Sequence, residues 1–219
     1  MSADDFLIEA RGLCIQRRGR MVLDGVDVVL RDAERLFVLG PCGAGKSSLL
    51  QALLGFVPLS AGTVRLFGQV CRNEAAFAPL RGPLGLLFQD SADQLFGPTV
   101  LEDAEFGPLN QGLTRAAARE RAWTALRQVG IEAFAERPVH ELSGGEQRLA
   151  ALAGVLAMQP RVLLLDEPTA ALDAASAARV ATVLEDSGLP MVVAAHDEAL
   201  LARLATRRQV LDGATSAAC

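Results

Sequence analysis

Apolar positions along this chain fall into two alternating patterns. Short continuous runs rich in Val and Leu recur: RLFVL (35–39), TVRLF (63–67), LGLLF (84–88), RVLLLD (161–166) and MVVAA (191–195). Each reads as a strand, and the last two have the unbroken apolar character of parallel strands covered on both faces. Segments with helical spacing lie among them. SSLLQALLGF (47–56) is one, and TRAAARERAWTALRQVG (114–130) is another, with Thr114 placed as an N-cap and Gly130 just past the end. EQRLAALAGVLAM (146–158) is closed by Pro160, and DAASAARVATVLEDSG (173–188) has the place of a crossover helix. This alternation predicts an α/β fold on a parallel sheet. From about 90 to 158 strand signals are weak, so a helical insert is expected within a single domain spanning 1–219.

At 219 residues and 51% hydrophobic, the chain can bury one full core. A formal net charge of −5 argues against a general nucleic-acid binder, so any anion must be held by local geometry. No apolar run reaches the ~18 residues of a membrane span, and MSADDFLIEA lacks the features of a signal peptide. A soluble, cytoplasmic protein is expected. The cysteines (Cys14, Cys42, Cys71, Cys219) are scattered with no CxxC pair and only two histidines to assist, which argues against a zinc site or a disulfide framework.

The chemistry concentrates in a few stretches. GPCGAGKSS (Gly40, Pro41, Cys42, Gly43, Ala44, Gly45, Lys46, Ser47, Ser48) follows a strand and opens a helix. Glycines at 40, 43 and 45 let backbone N–H groups curl around phosphates, Lys46 adds a point charge, and the Ser47 hydroxyl suits Mg²⁺. VLLLDEP ends a strand in paired acids. Asp166 is placed for Mg²⁺, and Glu167 is placed to polarise an attacking water. LSGGEQ (142–147) brings a second anion-binding run, Ser143, Gly144 and Gly145, before a helix. His140 has no comparable setting and is read as structural.

Taken in order, GPCGAGKSS, LSGGEQ, LLLDEP, AALD and His196 after MVVAA resemble the ATP-binding cassette ATPases over nearly the whole chain. The resemblance implies a P-loop fold with a mostly parallel core sheet, an antiparallel β region and a helical signature subdomain. It implies ATP and Mg²⁺ as cofactors. Paired cassettes would lie head to tail, so that Ser143, Gly144 and Gly145 serve the partner's nucleotide. It also assigns Gln89 to a loop touching Mg²⁺, Asp173 to the dimer interface, and His196 to the γ-phosphate as a switch. The run FQDSADQLFGPTVLEDAEFGPLNQGLT (88–114) looks like the ATPase components of energy-coupling-factor importers, the cobalt, nickel and biotin uptake group. Such a subunit sits peripherally on the cytoplasmic face of the cell membrane. It binds a coupling subunit and a substrate-binding subunit, and forms a homodimer or pairs with a sister cassette.

Within 88–114, Leu95, Phe96 and Val100 read as apolar residues of a Gly/Pro-rich surface loop, open to docking on a partner or to packing within their own domain. The chain departs from the family where an aromatic stacks on adenine: it has no tyrosine, and CIQRRGRMVL (14–23) offers Arg17 or Arg18 instead. Ser48 and Ala195 replace common threonines, and the tail after RRQVLDG (207–213) is short, with no regulatory extension expected. The reading is an importer ATPase for cobalt or nickel, with biotin or another vitamin as the alternative cargo. The rivals are a soluble cassette of DNA repair or translation, which would bring coiled coils or a second cassette, and a P-loop kinase.

Overall fold

The computed structural model describes residues 6–212, so the expectations on MSADD, on Cys219 and on the tail beyond Asp212 lie outside the described residues. Among the described residues two compact units emerge, one comprising 6–81 with 190–212 and the other 82–189.

The first unit carries two sets of strands. β1 (Ile8–Arg17), β2 (Arg20–Leu30), β4 (Ala61–Leu66) and β5 (Gln69–Cys71) form an antiparallel sheet in the order β2-β1-β4-β5. β1 alternates between core and surface, burying Ile8, Ala10, Leu13 and Ile15. The sequence pattern had not marked β1 or β2 as strands, because glycines and charges interrupt the alternation. Gly12 and its neighbours sit at register shifts of the ladder. The β1–β2 turn places Arg18 and Gly19 at φ 50° and 76°, both positive, as a two-residue hairpin of primed type requires. The other set is parallel, with β3 (Arg35–Leu39) between β8 (Met191–Ala194) and β9 (Arg207–Val210). Leu36, Phe37 and Val38 are fully buried, and so is all of β8. Helices α1 (Lys46–Leu53), α2 (Glu74–Phe77) and α7 (Glu198–Leu204) complete this unit.

In the second unit β6 (Leu84–Leu87) pairs in parallel with β7 (Val162–Asp166), every residue of which is buried. Four helices accompany them: α3 (Val100–Asn110), α4 (Arg115–Val129), α5 (Gly144–Ala157) and α6 (Ala174–Asp186). The caps of α4 fall where the sequence puts them. The Thr114 hydroxyl accepts from the Ala117 amide, and Gly130 closes the helix in the left-handed conformation.

α3 corrects the surface-loop reading of 88–114. Thr99 caps it by accepting from the Glu102 amide, and Val100, Leu101, Ala104 and Pro108 share its buried face. Val100 is 1% exposed and packs within its own unit, so it is not a docking residue. Leu95 is half-buried, and Phe96 stays largely exposed. Both fold patterns, parallel strands with helices and a separate antiparallel sheet, make this an α/β protein. No described helix is long and apolar enough to cross a membrane.

Candidate functional site: a P-loop and a second set of acidic and signature residues

In the first unit, the loop between β3 and α1 is shaped by glycine. Gly45 is the N-cap of α1 at φ 94°, and no side chain caps this helix. The first-turn N–H groups are therefore left for an outside acceptor, which a phosphate supplies together with the favourable helix dipole. A Cβ on Gly45 would stand 2.6 Å from Leu23 Cδ2 and 3.0 Å from the Val22 carbonyl oxygen. At Gly40, also at positive φ, it would run into the Leu211 carbonyl oxygen. The cradle thus has a shape only glycine permits, and a triphosphate fits it. Pro41, Cys42 and Gly43 are exposed on the loop, Ala44 and Ser48 are buried beneath it, and Ser47 is half-buried in the first turn of α1.

Lys46 is 8% exposed, and its ammonium is held by the loop. It donates to the carbonyl oxygens of Gly40 at 2.8 Å and Pro41 at 3.3 Å, and lies 2.7 Å from His196 Nε2. With the ammonium as donor, Nε2 is the acceptor and the ring proton sits on Nδ1. His196 follows β8, and Asp197 after it caps α7, accepting from the Ala199 and Leu200 amides. Lysine and histidine, far apart in sequence, thus meet at one point. Arg17 is exposed at the end of β1 and donates to Gln51 Oε1 at 2.9 Å, which ties the hairpin to α1. Arg18 is exposed at the hairpin tip.

The second unit carries the other predicted residues. Asp166 ends β7 at 7% exposed, and Glu167 next to it has φ 45°, a conformation unfavourable for a residue with a Cβ. Gln89 is exposed just beyond β6. Ser143 is the N-cap of α5 in a complete capping box. Its amide donates to Glu146 Oε2 at 2.7 Å, and its hydroxyl accepts from the Glu146 amide at 3.4 Å. The Ser143 amide, aided by the Ser143 hydroxyl, holds the Glu146 carboxyl below the usual glutamate range.

Gly144 and Gly145 form the first turn of α5 instead of preceding it. They differ in surroundings. A Cβ on Gly144 would meet nothing within 4 Å, whereas on Gly145 it would strike the Ser176 hydroxyl. Asp173 caps α6, with Oδ1 accepting from the amides of Ala175 and Ser176 and Oδ2 accepting from Ser176 Oγ at 2.6 Å. These bonds, led by that of the Ser176 hydroxyl, hold its carboxyl below the ordinary aspartate range.

One polar residue here escaped the sequence reading. Arg148 on α5 is 2% exposed, and its guanidinium donates to the carbonyl oxygens of Pro168 at 2.9 Å and Asp166 at 3.5 Å, and to those of Phe88 and Glu167. Burial pulls its pKa below the usual arginine value, opposed by the charges of Asp166, Asp90 and Glu167. Gln94 is a second such residue: its amide accepts from Phe88 N at 3.0 Å and donates to the Ala151 carbonyl at 3.2 Å.

A buried strand, a glycine cradle and an uncapped helix bearing an inward lysine define a P-loop nucleoside-triphosphate-binding protein. Residues 23–170 match the ABC transporter family, and the chain belongs to that family of ATP-hydrolysing proteins. It is 48% identical over 200 residues to an uncharacterized ABC transporter ATP-binding protein of Haemophilus influenzae, covering 91% of this chain and 92% of that one. It is 44% identical over 193 residues to the cobalt import ATP-binding protein CbiO of Rhodobacter capsulatus (86% of this chain, 69% of that one). With the energy-coupling factor transporter ATP-binding protein EcfA of Methanocaldococcus jannaschii it shares 39% over 197 residues (88% and 71%).

Among solved structures, cbiO1 of Clostridium perfringens, part of the ABC transporter complex cbiONQ, superposes with a TM-score of 0.84 at 31% identity, covering 95% of this chain and 85% of that one. An ATP-binding cassette solved as a dimer after hydrolysis, bound to ADP and Pi, gives 0.83 at 26%, with 94% of each chain covered.

Proposed function

We propose that this chain is the ATP-hydrolysing subunit of an energy-coupling-factor-type importer that powers uptake of a transition-metal ion, cobalt or nickel. It would work at the cytoplasmic face of the cell membrane, through a membrane-embedded coupling subunit and a substrate-binding subunit. The names of its CbiO and EcfA relatives support the importer type, and that of CbiO supports cobalt as the cargo. The observation that carries the nucleotide chemistry is the P-loop itself, with Gly45 leaving the α1 terminus open and Lys46 lodged beneath.

In this reading Gly40 to Ser48 bind the triphosphate, and Lys46 exchanges its carbonyl contacts for phosphate oxygens. The hydroxyl of Ser47 in the first unit, and the amide oxygen of Gln89 and carboxylate of Asp166 in the second, are suitable hard oxygen donors for Mg²⁺, which would supply neutralisation of phosphate charge. Glu167 accepts a proton from the attacking water, and His196 contacts the γ-phosphate. Arg17 or Arg18 lies against the base. Two cassettes, identical or sister chains, pair head to tail. Ser143, Gly144 and Gly145 then face the partner's nucleotide, and Asp173 lies at the interface. The dimeric cassette among the solved structures supports this pairing. The helical segment from about 90 to 158 is the signature subdomain, with Leu95 and Phe96 directed to the membrane partner.

The test has two arms. With ATP, Glu167→Gln should accumulate as a dimer that turns over slowly, and Lys46→Ala should lose ATP-dependent thermal stabilisation. Reconstituted with its membrane subunits, the parent chain should drive ATP-dependent cobalt or nickel uptake. Uptake of a vitamin and no metal would reassign the cargo, while a Lys46→Ala variant with undiminished ATP affinity would refute the site.

A further inference from the structure

Arg148 heads the fully buried side chains by volume, a place normally held by a large apolar residue. Burying a guanidinium is unfavourable unless its donors are met, and an apolar side chain of similar size would pack as well or better. Its recorded partners are four backbone carbonyls: Phe88, the residue before Gln89, and the consecutive Asp166, Glu167 and Pro168. The planar fork of arginine can meet several fixed acceptors at once, which the single ammonium of lysine cannot. These acceptors flank the two points in this unit from which predicted catalytic and Mg²⁺-binding side chains project. One of them, Glu167, is held at φ 45°. The guanidinium fixes the peptide planes on either side of that unfavourable conformation. It does so from α5, five positions after the N-cap Ser143.

We propose that Arg148 is a positioning residue for ATP hydrolysis, setting the backbone that aims Glu167 and Gln89 and fastening it to the helix that Ser143 caps. The proposal rests on the reading of Glu167 as the carboxylate that polarises water. It gives that helix a mechanical connection to Glu167: a displacement of α5 moves the carbonyls bound to Arg148, and the Glu167 side chain with them.

The full-length chain carrying Arg148→Lys or Arg148→Met, compared with Glu167→Gln, tests this by melting temperature, ATP titration and steady-state kinetics. Arg148→Lys should fold and bind ATP with affinity and KM within about threefold of the parent. Its kcat should fall by roughly 10- to 100-fold, as expected of a carboxylate displaced by a fraction of an ångström to ~1 Å. Arg148→Met should lose at least as much kcat. A kcat within twofold of the parent in Arg148→Lys overturns the proposal. So does a parallel loss of kcat, ATP affinity and melting temperature, or failure of both variants to fold, since either assigns Arg148 to the core alone. If Glu167→Gln itself turns over at the parental rate, the reading of Glu167 fails. If only Glu167→Gln is inactive and Arg148→Lys is normal, the positioning role alone fails.

Discussion

Gly144 and Gly145 are both assigned to the signature turn, yet their surroundings differ enough to separate packing from function. Alanine at either position gains helix propensity over glycine, by up to ~1 kcal/mol and less in a first turn. That gain cancels when the two variants are compared. What remains is the space each new methyl meets. At Gly144 it enters open space, and at Gly145 it strikes the hydroxyl of Ser176 and lies 2.8 Å from its Cβ. Relief requires the α6 backbone to shift and the 2.6 Å bond from Ser176 Oγ to Asp173 Oδ2 to break or rotate. Overpacking of this kind costs about 1–3 kcal/mol, which at ~2–4 °C per kcal/mol for a chain of this size is a gap of roughly 2–12 °C. Thermal unfolding of the full chain without nucleotide should therefore place Gly145→Ala below Gly144→Ala by that amount. Adding Ser176→Gly should close most of the gap, after correction for the cost of Ser176→Gly alone. Turnover should fall in both alanine variants if the turn serves a phosphate, despite the unharmed fold of Gly144→Ala. Equal melting temperatures, or a gap that Ser176→Gly leaves intact, would refute the packing argument.

Three further outcomes are expected. The Glu146 carboxyl is held below its ordinary range by the capping box, so its stabilisation is present above the unfolded-state value and lost as pH falls below about 4. Glu146→Gln should flatten that part of a urea-midpoint-against-pH curve, and an unchanged slope counts against the box. Phe96→Glu should lower the melting temperature little, since the ring is 64% exposed and loses mainly an edge-on contact with Phe106, centroids 4.5 Å apart; such a pair is worth about 0.5–1.5 kcal/mol. Transport by the reconstituted complex should nonetheless be lost, and full retention would remove Phe96 from the docking surface. Finally, Arg17→Ala or Arg18→Ala should weaken ATP binding by no more than roughly 2- to 30-fold, read by nucleotide titration. If neither has any effect, the adenine lies elsewhere.

Legibility in the sequence followed physical signal strength. Strands β7 and β8 are continuous apolar runs because parallel strands are covered on both faces, and α4 announced both ends through Thr114 and Gly130. β1 and β2 were hidden because Gly12, Gly25 and several charges break the period-2 pattern of strands with one exposed side. α3 was obscured by the glycines and prolines of 88–114, although Thr99 with Glu102 three residues on is a capping signal. In the site, the motifs were legible one by one. The approach of Lys46 to His196 was not, since it joins positions 150 residues apart. Arg148 was illegible for another reason: a charge two residues after Glu146 at the start of a helix reads as part of its solvated face, and only three-dimensional proximity reveals the carbonyls around it.

Asp103 gives the exposed Phe96 a property that exposure alone does not convey. Its carboxylate, 8% exposed on α3, accepts from the Phe96 amide at 2.9 Å and the Gly97 amide at 2.8 Å. Desolvation by burial raises its pKa against the pull of these bonds. The backbone carrying the aromatic ring is thereby fixed before any partner arrives, and the Phe106 ring narrows its rotation further. Association then forfeits less conformational freedom at this residue, a saving of order 0.5–1.5 kcal/mol per immobilised side chain. If Phe96 docks on the membrane subunit as proposed, rigidity set by the buried Asp103 carboxylate would thus appear in the dissociation rate of that complex.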